Sequence, residues 1–241
     1  MKIDSELRIS PSKVIWLLTP TQQKFKYRDQ NITNKINWAS LGTEIHTRIG
    51  AELKRFAGLT IPLDGDSLGN SFGLPVDAGT QISTEVKYTR YLSPSTYAIQ
   101  HGVESIIASA EIDVLTGDNI IEIKSGNEIK FEMYVLQLAM NCMIADNNQD
   151  AFLYLYKTGA IYCLTNGGFN IWEKCETLLL SGAVITHCLK EKEYIINKIE
   201  TLERQQSTGD NKSEIRRLKT LFRNYSEVEG LPTQELSRVR I

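Results

Sequence analysis

Two short apolar runs, Ile112 to Leu115 and Ile120 to Ile123, flank the turn signal Thr116-Gly117-Asp118-Asn119. That pattern confines the middle of the chain to an antiparallel β-hairpin. Period-2 alternation sends Ile121 and Ile123 toward a core and puts Glu122 and Lys124 together on the opposite face. Asp113 precedes Glu122 by eight intervening residues. A register that sets Asp113 opposite the Glu-Lys pair brings two carboxylates and an amine to one point; the spacing alone leaves that register open.

Such a grouping suits phosphodiester chemistry. Hard divalent cations favour oxygen ligands, so Asp113 and Glu122 are candidate ligands for one or two Mg2+ or Mn2+ ions, with the Ile123 carbonyl as a backbone ligand between them. A bound ion polarises a phosphate and activates water. Lys124 is the candidate catalytic amine, placed to orient or deprotonate that water and to offset transition-state charge. Glu85-Val86-Lys87 is a rival Glu-x-Lys triplet. It has no upstream aspartate at hairpin distance, which leaves Glu85 as an accessory metal ligand.

Upstream, Trp38, Leu41, Ile45, Ile49, Leu53 and Phe56 recur at steps of three and four, predicting an amphipathic helix. Gly42 and His46 lie one turn apart on it. Gly42 permits close approach of a backbone or substrate. His46 is either a metal ligand, favouring Mn2+ through mixed ligation, or a structural partner of a carboxylate. Downstream, FEMYVLQLAMNCMIA predicts a helix with Phe131, Val135, Leu138 and Cys142 on its buried stripe. Gln137 sits beside that stripe, its amide suited to a phosphate, a metal-bound water or the lysine amine.

The remaining expectations are plainer. QISTEVKYTRYL, Tyr97 to Ala110, AFLYLYK and GAIYCLTN predict strands, Phe169 to Leu180 a strand passing into a helix, and Val14 to Leu18 a short apolar run. TPTQQKFKYRDQNITNK predicts a helical arm or a loop over the site, and GLTIPLDGDSLGNSFGLPVDAG a loop reaching toward substrate. From Lys190 to Ile241 the chain carries 11 Lys or Arg against 9 Asp or Glu. There Arg216, Arg217, Lys219 and Arg223 form the best basic row for phosphate-backbone contact. The expected division is residues 1–188 as a nuclease domain with an N-terminal arm, and 189–241 as a basic helical extension.

A net charge of -2 excludes recognition by overall basicity, although carboxylates lining a metal site mask basic residues elsewhere. Cys142, Cys163, Cys175 and Cys188 form no Cys-x-x-Cys pair, so reduced core thiols are expected rather than a zinc ribbon or disulfide framework. No apolar run approaches the roughly 20 residues of a membrane span, and the start MKIDSELRISPSK lacks a secretory pattern. The expected location is intracellular, cytoplasmic or nucleoid-associated, with a viral origin as the alternative.

Taken together, Gly42-Thr43-Glu44-Ile45-His46, Asp113, Glu122-Ile123-Lys124 and Gln137 resemble, in kind and order, the PD-(D/E)xK nuclease superfamily. Within it they resemble the RecB-like branch that includes Cas4-like and mitochondrial genome maintenance exonucleases. The resemblance spans about residues 38 to 145. Ala110-Glu111 stand where many members place a glycine, and Asn141 replaces a tyrosine one turn after the glutamine. The resemblance implies an α/β, restriction-endonuclease-like core with a mixed central sheet flanked by helices. It also implies a divalent-metal-dependent deoxyribonuclease acting on single strands or duplex ends, as an exonuclease or end-processing enzyme. Some members hold an iron-sulfur cluster through one early and three late cysteines; that spacing is missing, so no cluster is expected. The alternatives are an RNA or structure-selective endonuclease, similar to viral cap-snatching enzymes, and a nucleic-acid-binding protein without turnover.

Overall fold

The computed structural model describes residues 5–19, 38–58, 72–77, 79–125, 131–204 and 213–219. The hairpin forms as β3 (Ser105–Thr116) and β4 (Asn119–Lys124), turning through Gly117 and Asp118 with Gly117 at φ +53°. Its register is Val114↔Ile121, Leu115↔Ile120 and Thr116↔Asn119. A slip of one residue would take Ile121 and Ile123 out of the apolar core they share with Val114 and put Glu122 into it. Both isoleucines are fully buried, and each buried side chain of this size is stabilised by about 2 kcal/mol. Burial thus fixes the register that spacing left open.

The strands form a mixed six-stranded sheet in the order β1-β3-β4-β5-β6, with β2 (Ile82–Leu92) also pairing with β3. β1 (Glu6–Ile9) is parallel to the first part of β3, β4 is parallel to β5 (Ala151–Leu155), and β5 is antiparallel to β6 (Ala160–Leu164). By contacts the chain divides into two units. The first comprises Met1–Val14, Thr89–Ser109 and Glu176–Ile241; the second comprises Ile15–Tyr88 and Ala110–Cys175. β3 runs through both.

In the second unit, helix α2 (Trp38–Ala57) lays Ile49, Leu53 and Phe56 against Val114, Ile121, Ile123 and Tyr154, with Leu74 and Val76 closing the same core. Gly50 of α2 packs so closely on β2 that an added Cβ would stand 2.8 Å from Thr84 Cγ2. The other sheet face, carrying Glu122 and Leu153, meets the helix Phe131–Ala145, with Leu138 to Ala145 buried throughout. Phe131, expected on that buried stripe, is instead 38% exposed. A 3-10 segment, Thr165–Ile171, packs on the same helix and on β5.

In the first unit, β1 lies beneath a long helix, Gly182–Arg204, whose buried Lys192 donates to the Glu6 carbonyl at 2.8 Å. That bond helps satisfy an otherwise costly buried amine. Helix α1 (Pro11–Leu18) follows β1, and α3 (Thr96–Gln100) is capped by Ser95 Oγ accepting from the Ala98 amide. The short helix at 213–219 buries Leu218 against Ile195 and Ile199.

Several expectations need correction. Tyr97 to Ala110 is not one strand but α3 followed by β3. Phe169 to Leu180 contains no strand: the 3-10 segment passes into α5 (Trp172–Leu179). In chain order the helix at Phe131–Ala145 is therefore α4 and that at Gly182–Arg204 is α6; α6 runs across the division expected at 188/189. All four cysteines are free, but Cys163 is exposed on β6 rather than in the core. Burial pushes the Cys142 thiol up to about 12 and those of Cys175 and Cys188 to about 11. The polar arm after Thr19 and most of the Gly- and Asp-rich loop lie outside the described residues. No helix among the described residues is long and apolar enough to cross a membrane.

Candidate active site

Extending the β3–β4 register by one step sets Asp113 beside Glu122. The backbone ladder opens there. Ile123 N–H donates at 2.7 Å to Asp113 Oδ2, so a side-chain carboxylate accepts this strand amide. From that position it is reached from the α2 side as well. His46 Nδ1 stands 3.2 Å from Asp113 Oδ1. That hydrogen bond raises the His46 pKa above its ordinary 6.5, outweighing partial burial.

Glu122 is 3% exposed and holds three donors: Lys124 Nζ at 2.5 Å and Gln137 Nε2 at 3.1 Å on Oε1, and Asn141 Nδ2 at 3.0 Å on Oε2. Burial is the main force raising its pKa, with the field of Asp113 adding to it and Lys124 opposing it. Burial likewise opposes the charge on Lys124, but Glu122 and Asp113 outweigh it and hold the amine protonated. The amine also lies 5.6 Å from the centre of the Tyr134 ring, within reach of a cation–π attraction. Helical spacing explains the shared target of the two amides: Gln137 and Asn141 are four residues apart on one face of α4.

His46, Asp113, Glu122, Lys124 and Gln137 therefore meet, all within the second unit. Gly42 belongs to the same neighbourhood, since an added Cβ would meet Ser125 Oγ at 3.2 Å, immediately after Lys124. Asn141 is the residue sequence reasoning passed over. In sequence it stands only as a departure from a tyrosine, and its i+4 relation to Gln137 is the signal that finds it.

Other candidates fall elsewhere. Glu85 is exposed on β2 with φ +55°, and Lys87 pairs with Glu111 at 3.7 Å. Among the described residues, the hydrogen bonds and ion pair of Glu122 go to Lys124, Gln137 and Asn141 and not to the Glu85 triplet. Arg217 is bound to Glu214 at 2.7 and 2.8 Å and Lys219 to Glu203 at 2.7 Å, so these cations of the basic row carry acidic partners. Arg217 also holds the Glu214 carboxyl down at about 2. Arg216 lies on the same short helix, and Arg223 lies outside the described residues.

Among the described residues, no three His, Cys, Asp or Glu side chains stand close enough together to hold a metal ion. The carboxylates nonetheless have capacity. Each ionised carboxylate offers about four acceptor sites, and the contacts named above occupy three on Glu122 and two on Asp113. That donor set fits a cation such as Mg2+, which takes one or two protein carboxylates and keeps several waters, better than a cage of protein ligands.

No protein-family model matches the sequence, and no curated protein does. Among solved structures, one described as the crystal structure of SSO0001 is similar, with 16% identity and a TM-score of 0.40 over 78% of this chain and 76% of that one.

Proposed function

We propose that the chain is a divalent-metal-dependent phosphodiesterase acting on nucleic acid, and specifically a deoxyribonuclease working at single strands or DNA ends. The observation that carries this reading is the contact of Lys124 with Glu122 beside the Asp113 carboxylate that accepts from the Ile123 amide. In this reading Asp113, Glu122 and the Ile123 carbonyl hold Mg2+ or Mn2+, with His46 either joining them or fixing Asp113. The ion supplies charge for the scissile phosphate and lowers the pKa of water.

The chain's own groups do the rest. Gln137 and Asn141 fix the Glu122 carboxylate, leaving Oε2 with spare acceptor capacity toward a ligand. Lys124, kept protonated by its carboxylate neighbours, donates to a phosphate oxygen or positions water for in-line attack. Its flank on Tyr134 limits the directions it can take. His46 braces Asp113 from the α2 side, and the short Gly42 leaves room beside Ser125.

The test is cleavage of end-labelled linear single-stranded DNA, matched duplex, closed circular DNA and single-stranded RNA, with Mg2+, Mn2+ or chelator. Metal-dependent loss of linear DNA is expected, reduced at least about 100-fold by Asp113→Ala and by Lys124→Ala, the scale of a lost acid–base or charge-stabilising group. Cleavage of circles or RNA reassigns the protein as an endonuclease. Cleavage indifferent to both substitutions overturns the site.

A further inference from the structure

Beside this site the molecule carries an exposed aromatic pair that the phosphodiester chemistry does not use. Phe131, the first residue of α4, and Tyr162 of β6 have ring centres 4.5 Å apart at 59°, and are 38% and 39% exposed. Register locates them relative to the site. Glu122 pairs with Leu153, and Leu153 with Tyr162, so all three lie in one row across three strands. Paired residues share a sheet face, so Tyr162 stands about 10 Å from Glu122 on the face that α4 covers. Along α4, Phe131 precedes Gln137 by six residues, about 9 Å of helix. One turn after Phe131 comes Tyr134, over Lys124.

Along α4 the order is therefore Gln137 on Glu122, Tyr134 beside Lys124, then Phe131, whose ring meets Tyr162 on the edge strand β6. Two rings in mutual contact are thus left partly open about two strands from a buried charged centre. Their tilt prevents either ring from fully covering the other, so a flat ligand retains a face to stack on.

We infer that the Phe131–Tyr162 pair is a stacking platform for an unpaired nucleobase of the strand whose phosphate lies at Asp113 and Glu122. This rests on the phosphodiesterase reading for the identity of the ligand, and it assigns the single-strand preference of that reading to two named side chains. Bases inside a duplex are already stacked on their neighbours and offer no free face. Stacking of this type tolerates any base, because every base has a π-face. The platform selects strandedness without selecting sequence.

The test is binding rather than cleavage, so the two readings separate. Single-stranded DNA carrying 2-aminopurine at successive positions, its RNA counterpart and a blunt hairpin duplex are titrated with the full chain in chelator or Ca2+. Wild type is compared with Phe131→Leu and Tyr162→Ala, whose melting curves check folding. Quenching at one or two adjacent positions is expected. Tyr162→Ala should weaken single-strand binding about tenfold, consistent with the loss of one stacked base, and leave the duplex unchanged. Phe131→Leu, which keeps apolar bulk, should give the same selective loss to a smaller degree. An oligonucleotide lacking the base at the quenched position should bind wild type about tenfold more weakly and Tyr162→Ala no more weakly still. Unchanged single-strand affinity, equal loss on duplex, or a loss that follows the sugar rather than the base overturns the platform. Base-dependent quenching without cleavage under any metal sinks the phosphodiesterase reading and leaves the platform standing. Cleavage abolished by Asp113→Ala, with single-strand binding indifferent to Tyr162→Ala, does the reverse.

Discussion

At the scale of single residues, the sharpest feature is a carboxylate buried against its own chemistry. Glu122 is almost fully buried and faces the charge of Asp113, and of its three donors only Lys124 is a cation within hydrogen-bond reach. A folded-state pKa raised above the ordinary 4.5 contributes stability that is present below that value and lost as pH rises through the folded pKa. Lys124 limits that loss by lowering the Glu122 pKa. Lys124→Met removes the opposition, so Glu122 shifts further up and a buried charge goes unpaired at neutral pH. The variant should be less stable than wild type by about 3 kcal/mol at pH 8 and by clearly less near pH 5, as read by urea unfolding in chelator. A deficit that shrinks as pH rises would show that the lysine is not what keeps this carboxylate ionised. Much of the site's residue list was legible, because a two-residue strand spacing and a four-residue helix spacing put side chains on one face without reference to the rest of the fold. Asn141 was not. Its amide looks like a lost aromatic until the register shows which carboxylate it reaches.

At the scale of elements, the hairpin and α2 were readable because burial enforces their periods, through Ile121 and Ile123 in one and Ile49, Leu53 and Phe56 in the other. The segment after β6 was not readable, because it has no period. Asn166, Gly167 and Gly168 take φ of 51°, 56° and 66° in succession, a left-handed run that the Gly-Gly pair makes accessible. Position 167 is the tight one, since a Cβ there would lie 2.6 Å from the Asn147 carbonyl oxygen and 3.1 Å from Cys142 Cβ. Gly167→Ala thus combines backbone strain with a clash against main chain, and should lower stability by about 3 kcal/mol. The hairpin supplies the control. Gly117 has φ +53° with nothing within 4 Å of an added Cβ, so Gly117→Ala should cost about 1 kcal/mol. Paired thermal melts decide it; equal losses would mean that the approach to Asn147 is not rigid. The strand expected over Tyr97 to Ala110 failed for a related reason. Its apolar residues mix a five-residue helix, capped by Ser95, with the start of β3, and a single period fitted to both describes neither.

At the scale of the whole molecule, the chain crosses between its two units several times, while every residue proposed to hold the cation lies in the second. Ion binding is then a property of the folded second unit, because Asp113 and Glu122 become neighbours only once β3 and β4 pair. A ligand that binds the folded chain and not the unfolded one stabilises it by an amount set by its concentration relative to Kd, about 2.7 kcal/mol at a hundredfold excess. The melting temperature should therefore rise on adding Mn2+ or Mg2+ to the chelator-treated protein, and Asp113→Ala should remove the rise. The pH dependence follows from His46. Its pKa is raised by the bond to Asp113, so without metal its contribution to stability is fully present below 6.5 and is lost as pH rises through the folded value. The same protonation opposes the ion, by adding a positive charge beside Asp113 and blocking any ligation through imidazole. The metal-induced rise should be larger at pH 8 than at pH 6, and His46→Gln should reduce that difference. A rise that is the same at both pH values, or that survives Asp113→Ala, would place the ion away from Asp113 and His46 and remove the metal from the proposed chemistry.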